Sequence, residues 1–136
     1  QSKDGRQVYL RTLISVFFFS LLLALPFFVF AGDILGIWLG DGYRGGAATV
    51  FRILLVGFIF NSVAQICFAR IQSAGHAKWT GLVHIVEFIP YMLMLYILTT
   101  TYSIFGAAFA FTIRSFIDFI ILFLVERIGI YNKAGV

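Results

Sequence analysis

Four long apolar runs, separated by short polar or glycine-rich links, dominate the chain: residues 10–31, 47–71, 79–98 and 104–125. Each is near the ~20 residues that an α-helix needs to cross a hydrocarbon core about 30 Å thick, and none shows the period-2 alternation of a half-buried strand. The pattern predicts an all-α, polytopic membrane protein with four transmembrane helices. On this reading residues 1–9 are a cytoplasmic lead-in, 10–126 the four-helix segment and 127–136 a cytoplasmic tail. Pro26, near the far end of the first run, predicts a kink because proline removes a helical hydrogen bond. The stretch Gly32–Gly46, rich in glycine and carrying Trp38 and Tyr43, suits a loop or short helix at headgroup level, where amphipathic rings are favoured.

Composition sharpens the choice of solvent. The chain is 61% hydrophobic and 12% charged, against roughly 45–50% and about 25% in soluble domains, so its natural solvent is lipid. The formal charge of +4 raises nucleic acid as a partner, but the cations are scattered over inter-helix links and form no patch with interleaved aromatics, which excludes it. They read instead as topology. Lys3, Arg6, Arg11, Arg70, Lys78, Arg127 and Lys133 fall on one side of the predicted membrane and Arg44 alone on the other. Cytoplasmic loops retain cations, so both ends and the 73–78 link are placed in the cytoplasm. Cys67 is the single cysteine, which rules out an intrachain disulfide and a thiolate cluster. The chain opens on Gln1 with a charged lead-in and a run too long for a signal peptide, and is read as an internal piece of a longer protein.

An ionisable group at mid-membrane costs roughly 2.5–3.5 kcal/mol on insertion scales, so each one within a run calls for a reason. At 1.5 Å per residue, Asn61, His84, Glu87, Arg114 and Asp118 all fall about 7–15 Å from the cytoplasmic edge. His84, Glu87 and Tyr91 follow i, i+3, i+7 spacing on the third helix, Arg114 and Asp118 are an i, i+4 pair on the fourth, and Asn61 and Gln65 one on the second. Two readings stand side by side. In one, the groups are ion pairs and hydrogen bonds that hold helices together, Arg114 pairing with Asp118 or Glu87. In the other they line a water-accessible path, Arg114 meeting an anionic group and Glu87 carrying a proton. Pro90 loosens the third helix beside Glu87, as a structural kink or as part of a binding site.

Other features carry less. Arg52 sits near the outer end of its helix, where a long side chain snorkels to headgroups. A lone His84 with only Glu87 at ligand spacing does not make a metal site, and none is expected. Gly106, Ala107, Ala108 and Ala110 permit close helix approach. Gly40–Gly45 fits G-x-G-x-x-G, but the βαβ unit that gives this pattern meaning is missing. No nucleophile has a partner, so the chain is not expected to be an enzyme.

The ordered motifs resemble the second lobe of bacterial oligosaccharide flippases in the multidrug/oligosaccharidyl-lipid/polysaccharide exporter superfamily. They are Trp38-Leu39-Gly40, then Gln72, Gly75 and Lys78 in a cytoplasmic link, then His84 and Glu87, and finally Gly106 to Ala110 with Arg114 and Asp118. The resemblance spans residues 10–125 and implies a MATE-like lobe, helices nine to twelve of a twelve- to fourteen-helix transporter. It implies movement of undecaprenyl-pyrophosphate-linked oligosaccharide across the cytoplasmic membrane for polysaccharide or O-antigen synthesis. Arg114 would meet pyrophosphate or an acidic sugar, and Glu87 and Asp118 a coupling cation, H⁺ or Na⁺; no other cofactor is implied. The partners are then the bilayer, the lipid-linked oligosaccharide and the remaining helices of the transporter, because four helices cannot enclose so large a substrate. The path candidates are Arg114, Glu87, Asp118, His84, Asn61 and Gln65. Two alternatives remain open: a MATE-type cation-coupled exporter of small compounds, and a small structural or assembly membrane protein.

Overall fold

The computed structural model describes residues 3–131, and the side chains of residues 5–128. The chain forms α1 (Lys3–Val29), the short α2 (Ala31–Leu39), a 3-10 turn (Asp41–Tyr43), α3 (Gly46–Ser73), α4 (Ala77–Tyr102) and α5 (Ile104–Tyr131). There is no strand among the described residues. α1, α3, α4 and α5 are each long and apolar enough to cross a membrane, at about 1.5 Å of rise per residue. α1 starts at Lys3 and α5 runs to Tyr131, so much of the polar lead-in and the start of the tail prolong helices rather than form loops. The side chains of Lys3 and Lys133, both counted in the charge pattern, lie outside those described.

Within a bilayer, backbone groups find no water, which is why every crossing segment satisfies its own hydrogen bonds as a helix. Association of those helices then rests on fit. α5 is central, packed along α3 and α4, while α1 packs on α3 and α3 touches α4 more sparingly. α3 and α5 run parallel: Thr112 Oγ1 donates to the Ile53 carbonyl at 2.8 Å, and the Phe60 ring stands edge-on to Phe116 at 5.0 Å. Gly57 makes this approach feasible, since a Cβ there would stand 2.8 Å from the Phe111 ring. A core of Tyr9, Ala64, Cys67, Ile71 and Leu122 joins α1, α3 and α5.

The α4–α5 connection is a single residue, Ser103, in the left-handed region at φ 54°. So tight a hairpin presses Gly106 against the Leu98 carbonyl, and any side chain at 106 collides with backbone. Ala108, also buried, lies on the opposite side of α5 from Gly106, so the small residues serve two neighbours rather than one face.

On the far side of the fold, α2 and the turn after it are pinned by Arg44, which reaches Asp33 at 2.6 Å and Asp41 at 2.7 Å. The Asp41 hydrogen bond and charge, then those of Asp33, push the guanidinium further above its ordinary range. Gly36 leaves room for this arm, because a Cβ would meet Arg44 Nε at 2.6 Å. Arg52 is tied to the end of α1. Its Nε donates to the Phe28 carbonyl at 2.9 Å, one of the orphan acceptors at the end of α1.

The outer surface is what a bilayer demands. Phe18, Phe19 and Leu22 on α1 and Ile85, Phe88, Ile89 and Leu93 on α4 are all exposed, a patch far beyond what a water-soluble monomer tolerates.

Candidate functional site

α4 and α5 are antiparallel neighbours, so positions whose numbers sum to a near-constant value face one another: His84 with Asp118, and Tyr91 with Arg114. The sequence spacing puts His84, Glu87 and Tyr91 on one stripe of α4 and Arg114 and Asp118 one turn apart on α5. The hairpin brings the two stripes together.

His84 Nδ1 lies 3.7 Å from Asp118 Oδ1 and 4.0 Å from Glu87 Oε2. The imidazole stands by the Phe68 ring of α3 at 5.7 Å, which brings a third helix to the same level. The Glu87 and Asp118 side chains are nine-tenths buried, and His84 is partly exposed. His84 Nδ1, both carboxylate oxygens of Glu87 and Asp118 Oδ1 are buried without a hydrogen-bond partner. Native proteins seldom leave such groups unpaired, because stripping a carboxylate of water without replacement is costly. By contrast the buried Ser20, Thr80 and Ser115 hydroxyls each donate to a carbonyl one turn back, at 3.0, 2.7 and 2.9 Å.

Beside the cluster a cleft of about 230 Å³ opens between α4 and α5, its walls including Glu87, Pro90, Tyr91 and Arg114. Pro90 has no N–H, so the carbonyl of Val86, which also lines the cleft, is deprived of its helical donor. Arg114 places its guanidinium 4.6 Å above the Tyr91 ring. No carboxylate lies within 4.0 Å of it among the described residues. The expected pairing of Arg114 with Asp118 or Glu87 is therefore not formed. Asp118 turns to His84 toward the start of α4 while Arg114 leans one turn the other way onto Tyr91, and the cation–π contact holds it there.

The structure thus brings His84, Glu87 and Asp118 together and sets Arg114 on the adjoining cleft wall. Asn61 is half-buried and Gln65 exposed on α3; neither has a hydrogen bond to the cluster. One polar group was read too simply from the sequence. Arg70, counted as a topology charge, is an inter-helix tie: its Nε is 2.6 Å from Glu126 on α5, its plane lies 4.2 Å over the Tyr9 ring, and Nη1 donates to the Gly5 carbonyl at 3.1 Å. The signal was present in Arg70 and Glu126, both of which sit at the C-terminal end of an apolar run.

An all-helical, multi-pass membrane protein with an ionisable cluster at the α4–α5 seam and an arginine-bearing cleft beside it is the class that fold and site define. The chain is 34% identical over 120 residues, 88% of its length, to a Shigella flexneri protein provisionally named O-antigen transporter, and spans 29% of that protein. It is a relative of that transporter over nearly all of its own length, in agreement with the flippase resemblance of its motifs. No family model and no solved structure matches it.

Proposed function

We propose that this chain is part of a transporter that flips undecaprenyl-pyrophosphate-linked oligosaccharide across the bacterial cytoplasmic membrane, for O-antigen or related polysaccharide synthesis. The observation that carries this reading is the 34% identity over 88% of the chain to the protein named O-antigen transporter. The site is consistent with it. Arg114 stands on a cleft wall with no carboxylate within 4.0 Å among the described residues, and guanidinium is the group best shaped to take phosphate oxygens in pairs. Both ends of the chain lie in the cytoplasm on this reading, and further helices complete the path for the glycan. No step of covalent chemistry is assigned to the chain, and its role is to bind and to move.

The alternative of a MATE-type exporter of cationic compounds is disfavoured by Arg114, which repels such a substrate at the cleft. The test uses the full-length protein in a strain deleted for its gene. Arg114→Ala is expected to insert normally, to abolish the surface polysaccharide ladder and to leave lipid-linked glycan in the inner leaflet, with Arg114→Lys retaining part of the activity. A normal ladder from Arg114→Ala would refute the role of Arg114. A normal ladder from a strain lacking the whole gene would refute the transport reading, and a normal ladder from Arg114→Leu with Asp118→Leu would favour a purely structural protein.

A further inference from the structure

His84 Nδ1, both Glu87 carboxylate oxygens and Asp118 Oδ1 are described atoms buried without a hydrogen-bond partner, and the three side chains lie together at the α4–α5 seam. Each offers one ligand atom, and these atoms all lie within 4.8 Å of one another. We propose that His84, Glu87 and Asp118 bind one divalent transition-metal ion of the zinc or manganese kind, which bridges α4 to α5.

Three observations carry the assignment. The first is geometric: metal–ligand bonds of about 2.1 Å in a tetrahedral site put neighbouring ligand atoms about 3.4 Å apart. The 3.7 Å and 4.0 Å separations from His84 Nδ1 come near this, and small side-chain rotations close the rest. The second is the lack of any other partner. Both Glu87 oxygens, Asp118 Oδ1 and His84 Nδ1 are buried with nothing donating to or accepting from them. The Glu87 and Asp118 side chains are nine-tenths withdrawn from solvent. Arg114, the cation on the adjoining cleft wall, is engaged on Tyr91 instead. The third is ligand chemistry. Two carboxylates and a neutral imidazole offset a charge of +2, and a nitrogen donor favours a first-row transition metal over sodium, calcium or magnesium, which prefer all-oxygen sites.

The cleft completes the site. Glu87 faces it, so water reaches the ion from that side and fills the coordination positions the protein leaves open. His84 and Glu87 lie one turn apart on α4 and Asp118 on α5, so the ion crosslinks the two arms of the hairpin. This inference does not depend on the transport reading, because occupancy is measured without transport.

The experiment uses the full-length protein in lipid nanodiscs, stripped with a chelator and held in excess sodium chloride. Mn²⁺ is titrated by electron paramagnetic resonance, with Zn²⁺ as competitor. The expected result is one saturable Mn²⁺ per chain, displaced by Zn²⁺ and not by Na⁺, with nitrogen hyperfine coupling from the imidazole. His84→Ala is expected to remove that coupling, and His84→Ala, Glu87→Gln and Asp118→Asn each to weaken binding by at least about tenfold. Asp33→Asn, a change to an exposed carboxylate outside the cluster, leaves binding unchanged. Elution and helicity matching the parent protein keep the variants interpretable. The proposal is overturned by absence of saturable Mn²⁺ or Zn²⁺ binding, by displacement with Na⁺, or by undiminished binding in Glu87→Gln and Asp118→Asn. Proton uptake by the cluster with no metal bound would overturn it equally.

Discussion

Two groups of charged side chains cross between helices in this protein, and they differ in how completely they are answered. At the C-terminal ends of α3 and α5, Arg70 meets Glu126 at 2.6 Å and lies on the Tyr9 ring at 4.2 Å. The Tyr9 hydroxyl in turn stands 3.2 Å from the Cys67 sulfur. One cation, one anion and an aromatic face close on themselves across α1, α3 and α5. At the α4–α5 seam, two carboxyl groups and an imidazole face each other, and no described group outside the cluster hydrogen-bonds to them. The first arrangement is complete as a joint between helices. The second is incomplete without something added, and a protein retains such a group where it is used, since an unanswered buried charge gives nothing to stability.

Removing one partner from the tie gives the largest effect. Arg70→Ala leaves Glu126 as an unpaired, nearly buried anion and is expected to destabilise the fold by about 3–5 kcal/mol, read as the shift in unfolding of the detergent-solubilised protein. A loss under about 1 kcal/mol would place the pair in the class of exposed surface bridges and erase the contrast. Neutralising the seam works in the opposite direction. Glu87→Gln, measured with chelator present, is expected to leave stability unchanged or raise it by about 1–2 kcal/mol, because a buried carboxyl group with no partner outside its cluster is replaced by a neutral amide. Destabilisation comparable to that of Arg70→Ala would show that Glu87 is a structural group after all. The smallest change dissects the tie itself. Tyr9→Phe keeps the ring under Arg70 and deletes only the contact to Cys67, for an expected cost of about 0.5–1 kcal/mol by the same unfolding measurement.

Much of the fold was legible because membrane insertion imposes a one-dimensional rule. A run of ~20 apolar residues has to be a helix if it crosses lipid, so four helices followed from the order of residues alone. The helix ends were harder to read. Charged residues such as Arg6, Arg11 and Arg127 look like loop composition, yet they lie in helices that continue past the hydrophobic stretch, because helical hydrogen bonding does not require lipid. The depth argument put His84, Glu87, Arg114 and Asp118 at one level, and the hairpin gathers His84, Glu87 and Asp118 while Arg114 leans onto Tyr91. It put Asn61 there as well, and neither Asn61 nor its helix partner Gln65 has a hydrogen bond to the cluster, since depth gives height along a helix and not the direction a side chain faces.

Sequence by itself determined that this chain is a multi-pass helical membrane protein, and its ordered motifs pointed to the transporter relative it has. It also led to the expectation that a handful of polar groups share one level along the helices. Only the tertiary structure decided their partners. Arg114 and Asp118, one turn apart on one helix, have the spacing of an ion pair. The antiparallel register of α4 against α5 instead offers Asp118 an imidazole and Arg114 an aromatic face. Likewise Arg70 was a cytoplasmic charge until the parallel packing of α3 on α5 set Glu126 beside it. Spacing along a helix states what can meet, whereas the helix packed against it determines which contact forms, because the competing partners belong to segments distant in sequence.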